Sequence, residues 1–299
     1  MKAIILMIMG ETILKDLNVD NSIVSDVSKI VDDVSNVCIL IDYDNLFHTM
    51  KRYAIDVTDE EYDICKFFNE TYGKDKIRSF RAYADFDQVK VSLRKLQEQR
   101  VQIRNVYGNN RDDKYRKNAS DIELSIDAIE LTYKEPNIDT YVIVTSDSDM
   151  IPIMSRLKYK GKKVQLYYTS QNTAQTIHFD SYCDFSCDIL KLFKVDIAAG
   201  EPDYWFDQIA DHISEWYINN PNKTYGFSWL RSDVAGKFKV SEVYAGEIIN
   251  AMIDKKLIDA VPTNGYTTIK LLMRENSIIA ESTELVEKSE ETVDNAGVK

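Results

Sequence analysis

Residues 37–45, VCILIDYDN, and residues 142–149, VIVTSDSD, share one pattern: a run of apolar residues that breaks off into acids and hydrogen-bonding side chains. A continuous apolar run of this length reads as a strand buried on both faces. Such a strand delivers its last side chains into the crevice outside the carboxyl edge of its sheet. Asp42 and Asn45 stand at the first strand end, Asp147 and Asp149 at the second. Asp85 in FRAYADFD and Asp121 in KNASDIEL fall at two further element ends. Acids brought together from separate strands suit a hard cation such as Mg2+ or Mn2+, which can clamp a phosphate and activate water. Crowded carboxylates are costly without an ion, so one of them is expected to hold a proton when the site is empty.

Outward from these strands the chain alternates strand and helix. Strands are expected at Val37–Ile41, Ile77–Ala84, Val101–Tyr107, Thr140–Thr145 and Lys163–Tyr168, with helices at Thr58–Tyr72, Val89–Gln99, Asp121–Tyr133 and from Pro152 through Tyr159. In the helix after Asp121, Ser120 is the expected cap, and Ile122, Leu124, Ile126, Ile129 and Leu131 the expected apolar side. The alternation predicts an α/β fold, three-layered, with a mostly parallel sheet covered on both faces. This domain is placed at 36–195, after an N-terminal extension, 1–35. The polar loop 108–118 shows no apolar periodicity and is expected to be mobile until substrate binds.

A linker is expected at 196–203, where Ala-Ala-Gly and Pro202 interrupt the pattern. From 204 to 273 the reading changes to three helices, Tyr204–Asn219, Ser228–Phe238 and Ser241–Lys256, then two short apolar runs joined by Thr263-Asn264-Gly265, a hairpin signal. Three helices and a hairpin predict a smaller winged-helix domain, with Trp205, Trp216 and Trp229 as its core. The tail 274–299 is acidic and lacks aromatics, so disorder is expected.

Net charge is −12, from 49 acids and 37 bases, which alone argues against a nucleic-acid partner. The distribution softens the objection. Residues 1–36 hold six acids against three bases, and 274–299 seven against three, whereas 94–117 hold eight bases against three acids. Arg104, Arg111, Lys114, Arg116 and Lys117 in that band are candidates to meet a polyanion beside the acids; a solvated helix face plus a charged loop is the alternative. Four cysteines without a second Cys/His pair give neither a disulfide framework nor a zinc set, and suit a reducing cytoplasm. The apolar run Ala3–Met9 lacks a small-x-small cleavage site and is read as a strand or helix packed on the first domain. Nothing approaches the ~18 apolar residues of a membrane span.

Four blocks together, ILIDYDNL, YADFD, KNASDIELSIDAIEL and VIVTSDSDMIPIM, resemble the NYN domain, the PIN-like nuclease group that includes LabA-like bacterial proteins. The resemblance covers a little over half of the chain. It places Asp42 and Asn45 in the first motif, Asp85 at the end of the second strand, Asp121 and Asp127 in the signature helix, and Asp147 and Asp149 in the fourth. Met150 stands where an aromatic is common, and Thr145-Ser146 where Ser-Gly is usual. The family implies RNA-directed hydrolysis. Asp42, Asp121 and Asp147 would bind the cation, Asn45 would bond a carboxylate or a metal-bound water, and Asp149 would sit in or beside the ligand set. Asp44 and Asp87 are read as solvent-facing turn residues otherwise.

Two rivals stand beside this reading. A haloacid-dehalogenase-like phosphatase shares the Asp42-Tyr43-Asp44 pattern, but Leu46 replaces the usual Thr or Val and no second acid follows Asp149 closely. A non-catalytic RNA- or protein-binding adaptor on a nuclease fold is the other. The expected helix Ser241–Lys256 is not plainly basic, so the second domain is read as a module for protein contact, self-association or weak RNA contact.

Overall fold

The computed structural model describes residues 17–89, 91–106, 119–170, 181–263 and 265–272. The apolar run Ala3–Met9, the loop 108–118 and the tail 274–299 lie outside the described residues. The chain divides into two compact units, Met1–Ile197 and Ala198–Lys299. Among the described residues no helix is long and apolar enough to cross a membrane.

In the first unit the strands are β1 (Val37–Asp42), β2 (Ile77–Ala84), β3 (Gln102–Asn105), β4 (Thr140–Val144), β5 (Lys163–Tyr168) and β6 (Phe185–Asp188). They form a six-stranded sheet in the order β3-β2-β1-β4-β5-β6, with every pair parallel. β1 and β4 lie at its centre and are buried at every residue, which is what two unbroken apolar runs require when helices cover both faces. The chain winds outward from β1 through β2 to β3, then returns to β4 on the other side. The switch point of this α/β sheet therefore lies between the carboxyl ends of β1 and β4.

The helices of this unit are α1 (Asn21–Val31), α2 (Tyr43–Arg52), α3 (Ile64–Tyr72), α4 (Leu93–Glu98), α5 (Ala119–Lys134), α6 (Ile151–Tyr159) and α7 (Ile189–Leu192). α3 packs an aromatic cluster on one face of the sheet. Phe68 meets Tyr167 edge-on with centroids 4.8 Å apart, and Phe67 meets Phe193 at 6.3 Å. On the other face, Leu124, Ala128 and Leu131 of α5 and Met154 and Leu157 of α6 cover Leu40, Ile143 and Leu166. The four cysteines are buried and unbridged.

Several expectations are corrected. α3 starts at Ile64, because Asp63 caps it by accepting the Lys66 N–H at 2.9 Å, and α4 starts after Ser92, which caps it in the same way. The apolar side of α5 was expected to include Ile122 and Ile126. Burial instead falls on Leu124, Asp127, Ala128 and Leu131, so that Ile122 and Ile126 turn outward. Ser120 is inside the helix rather than its cap. β6 was not expected, since FSCD is too short and too polar to read as a strand.

The second unit contains α8 (Phe206–Asn219), β7 (Tyr225–Gly226), α9 (Phe227–Phe238), α10 (Glu242–Asp254), β8 (Ile258–Thr263) and β9 (Tyr266–Leu271). Its sheet has the order β7-β9-β8, closed by the hairpin pair Thr263 with Tyr266. Trp205 is buried and donates to the Ala199 carbonyl at 2.8 Å, and Trp216 stacks on Tyr225 at 4.2 Å. Trp229, expected in the core, is 69% exposed. Two 3-10 turns, Ile197–Gly200 and Pro202–Trp205, fill the stretch read as a linker. The Ala199 carbonyl also accepts from the Tyr244 hydroxyl, so part of that stretch belongs to this core.

Candidate active site

Asp42 ends β1 and caps α2. Its Oδ1 accepts the Asn45 N–H at 3.1 Å, which explains the three-residue spacing: the acid that ends the strand starts the next helix. Its Oδ2 accepts the Thr145 hydroxyl at 3.2 Å, and Thr145 Oγ1 in turn accepts the Asp147 N–H at 3.1 Å. The Asn45 side-chain oxygen accepts the Ser146 N–H at 3.3 Å. The ends of β1 and β4 are thus stitched together across the switch point. Thr145, a departure from the usual motif, is one of the stitches.

Asp121 lies in the first turn of α5 and reaches the same place. Its carboxyl lies near enough to that of Asp42 for each to influence the other's proton affinity. Burial, then the Asp121 charge, pushes the 3%-exposed Asp42 well above the usual carboxylate range. Burial also raises Asp121, helped by the charges of Asp147, Asp149 and Asp44. The more deeply buried Asp42 is the more strongly raised of the two. Asp147 caps the short turn Ser148–Met150, with its Oδ1 accepting the Asp149 N–H at 2.9 Å; Asp149 itself is exposed at the rim. Met150 is buried beneath this turn, against α5.

Asp44 was read as a turn residue, but it is half-buried and bonded within the site. Its Oδ2 accepts the Ser120 hydroxyl at 2.8 Å and the Asp85 N–H at 3.2 Å, joining α2, α5 and the end of β2. The alternation Asp42-Tyr43-Asp44 at a strand end is the signal that could have found it. The groups that bear most strongly on Asp42 and Asp121 include Asp44, Asp147 and Asp149 but not Asp85, which meets this network through its backbone.

Two turns after Asp121, Asp127 has a different setting. It is buried and accepts the Tyr83 hydroxyl at 2.6 Å, with Arg81 Nη1 at 2.7 Å and Arg104 Nε at 3.4 Å. Burial opposes its charge, yet the Tyr83 hydroxyl and the two arginines hold its carboxyl below the usual range. Arg104, expected to meet substrate, is half-exposed and ion-paired here. Arg111, Lys114, Arg116 and Lys117 lie outside the described residues.

Among the described residues no three His, Cys, Asp or Glu side chains are already gathered as a metal-binding group. In kind, however, the donors fit a hard divalent cation: they are carboxylate oxygens at one sheet edge, where burial and one another's charge raise Asp42 and Asp121.

The family described as NYN domain matches residues 36–187. An uncharacterized protein of Methanocaldococcus jannaschii is 48% identical over 44 residues, 15% of this chain and 18% of its own length. The chain thus matches under a fifth of that relative. A crystal structure of a Vibrio parahaemolyticus protein of unknown function shares 22% identity at a TM-score of 0.38, covering 53% of this chain and 94% of its own.

Proposed function

This chain belongs to the NYN domain family, a group with the PIN-like nuclease fold, and on that premise we propose that it is a metal-dependent endoribonuclease. The reading is supported by Asp42 and Asp147 standing past the carboxyl ends of β1 and β4, on either side of the switch point, with Asp121 of α5 near enough to interact with both. These three would hold Mg2+ or Mn2+. When bound, the ion supplies charge to the non-bridging phosphate oxygens and acidifies a water.

The chain's own groups do the rest. Thr145 and Asn45 hold Asp42 and the β4 end at fixed distance. Ser120 and Asp44 anchor the start of α5, and so the position of Asp121. Asp149, exposed beside the cluster, orients the attacking water. Arg111, Lys114, Arg116 and Lys117 would draw the RNA backbone toward an edge that would otherwise repel it. Buried unbridged thiols agree with a reducing cytoplasm.

We read the second unit as a winged helix used for contact with protein or for self-association. Its α10 carries Glu242, Glu247 and Asp254, and Trp229 and the 74%-exposed Val243 offer apolar rather than basic surface.

The test is incubation of the purified chain with labelled single-stranded and structured RNAs, with Mg2+, with Mn2+ or with chelator. Internal cleavage that needs the ion supports the proposal. Release of phosphate from small esters without RNA cleavage would favour a phosphatase, and binding without cleavage an adaptor.

A further inference from the structure

Two arginines meet one carboxylate beneath α5. Arg81 of β2 and Arg104 of β3 both lie beside Asp127, so this group carries more positive charge than it neutralises. The oxygen they share is already committed: Asp127 Oδ2 accepts the Tyr83 hydroxyl at 2.6 Å and Arg81 Nη1 at 2.7 Å. Arg104 Nε stands 3.4 Å from the same oxygen, within reach of its charge but beyond a hydrogen bond. That nitrogen is buried and has no hydrogen-bond partner. The rest of the side chain is not enclosed. It is 42% exposed, and among the described residues Asp127 is the one carboxylate that pairs with it. Glu123, one turn nearer the acids on α5, makes no ion pair with it among the described residues. A purely structural pair would set the guanidinium fork on the carboxylate. Here Asp127 fixes the buried side of the fork by charge and leaves its outer nitrogens uncommitted, the state in which an arginine grips a phosphate through two parallel N–H bonds.

We propose that Arg104 is a fixed phosphate anchor for single-stranded RNA, gripping a backbone phosphate two to three nucleotides from the one at the acids. The inference rests on RNA being the polyanion at this sheet edge, and it adds a register to that reading. Arg104 stands opposite Tyr83 at the carboxyl end of β3, the same end of the sheet as Asp42, and β3 is two strands away from β1. At ~4.8 Å per strand the separation across the sheet is about 10 Å. A stacked strand rising ~3.4 Å per nucleotide covers that in about three nucleotides, and an extended strand in fewer. Arg81 has the same charge but not the same freedom: its side chain is 14% exposed and its Nη1 is held by Asp127, so it supports the fold.

Fluorescence anisotropy of a labelled oligoribonucleotide on the full chain, without added ion and over a salt series, tests this. Arg104→Met keeps the stem and removes the charge. Its Kd should rise about tenfold and its salt slope should fall by about 0.7, the value for one phosphate on a single strand. Arg104→Lys keeps the charge without the fork, so it should recover the slope and only part of the affinity. The thermal midpoint of Arg104→Met should stay near that of wild type, since Nε has no hydrogen bond to lose. Single neutral methylphosphonate linkages, moved along the oligonucleotide, locate the contact: one position should weaken binding to wild type and leave Arg104→Met unaffected. If Arg104→Met fails to fold, Arg104→Lys and the linkage scan decide. Wild-type affinity and slope in folded Arg104→Met overturn the proposal, as does a scan that is the same in both proteins or a wild type that binds no RNA. RNA that binds through Arg104 but is not cut with Mg2+ or Mn2+ supports the anchor and defeats the nuclease reading instead.

Discussion

Asp121 and Asp127 stand on one helix, roughly 9 Å apart along its axis, and their surroundings drive their carboxyls in opposite directions. Asp121 faces other acids and is raised by burial and by them. Asp127 faces Arg81, Arg104 and Tyr83, which hold it low against the cost of burial. The helix is thus pinned to β2 and β3 by a satisfied charge and presents an unsatisfied one at the sheet edge. Residue type alone separates neither role. What separates them is which strand positions face each turn of α5.

The largest expected effect lies on the unsatisfied side. Asp147→Asn keeps the shape of the side chain and the cap on the Ser148 turn but removes a charge proposed to bind the cation. RNA hydrolysis should fall about a thousandfold or more, the loss of several kcal/mol of transition-state stabilisation. Unchanged manganese-dependent cleavage by folded Asp147→Asn protein would remove this acid from the site.

On the satisfied side the loss is in stability. Asp127→Ala leaves the half-buried Arg81 without its partner and should cost about 1–3 kcal/mol, read as a lower urea midpoint. A change below the noise of such a measurement would mean that α5 is held by its apolar face alone.

Opposite shifts imply opposite pH slopes. Asp42 and Asp121 are raised in the fold, so their favourable contribution is complete below the ordinary carboxylate range and is lost as pH rises through the folded values. In ion-free protein, Asp121→Asn should therefore gain thermal midpoint relative to wild type as pH rises above the ordinary carboxylate range. Asp127 is lowered, so its contribution is present above that range and is lost as pH falls through its folded value. The deficit of Asp127→Asn should close toward about pH 3. Parallel slopes for the two variants would break the contrast.

Smallest is the effect of the basic band. Neutralising Arg111, Lys114, Arg116 and Lys117 together should weaken RNA binding and flatten its salt dependence, with a slope change of up to about three to four units. Cleavage at saturating RNA should change much less. An unaltered slope would mean that these bases are a solvated surface.

Much of this was legible in the sequence, for physical reasons that differ by residue. The runs VCILI and TYVIV announce central strands because nothing polar interrupts them, and the acids that end them locate the switch point. Burial on α5 was misread because Ile122, Ile126 and Ile129 look like core, while the buried Asp127 looks like surface. Only its arginine partners, 23 and 46 residues earlier in the chain, reverse that reading. Asp44 was passed over because its partners, Ser120 and the Asp85 amide, come from distant elements. Trp229 was assigned to a core by size, yet Leu230 and Val234 supply that face of α9.

The most direct measurement sets the two acids of α5 against each other in one assay: cleavage of a labelled oligoribonucleotide with Mn2+ by Asp121→Asn and by Asp127→Asn, each at a temperature where circular dichroism shows it folded. Asp121→Asn should be at least as stable as wild type and inactive, and Asp127→Asn less stable but still able to cut. Cleavage by Asp121→Asn at the wild-type rate would contradict the proposed site of Asp42, Asp121 and Asp147.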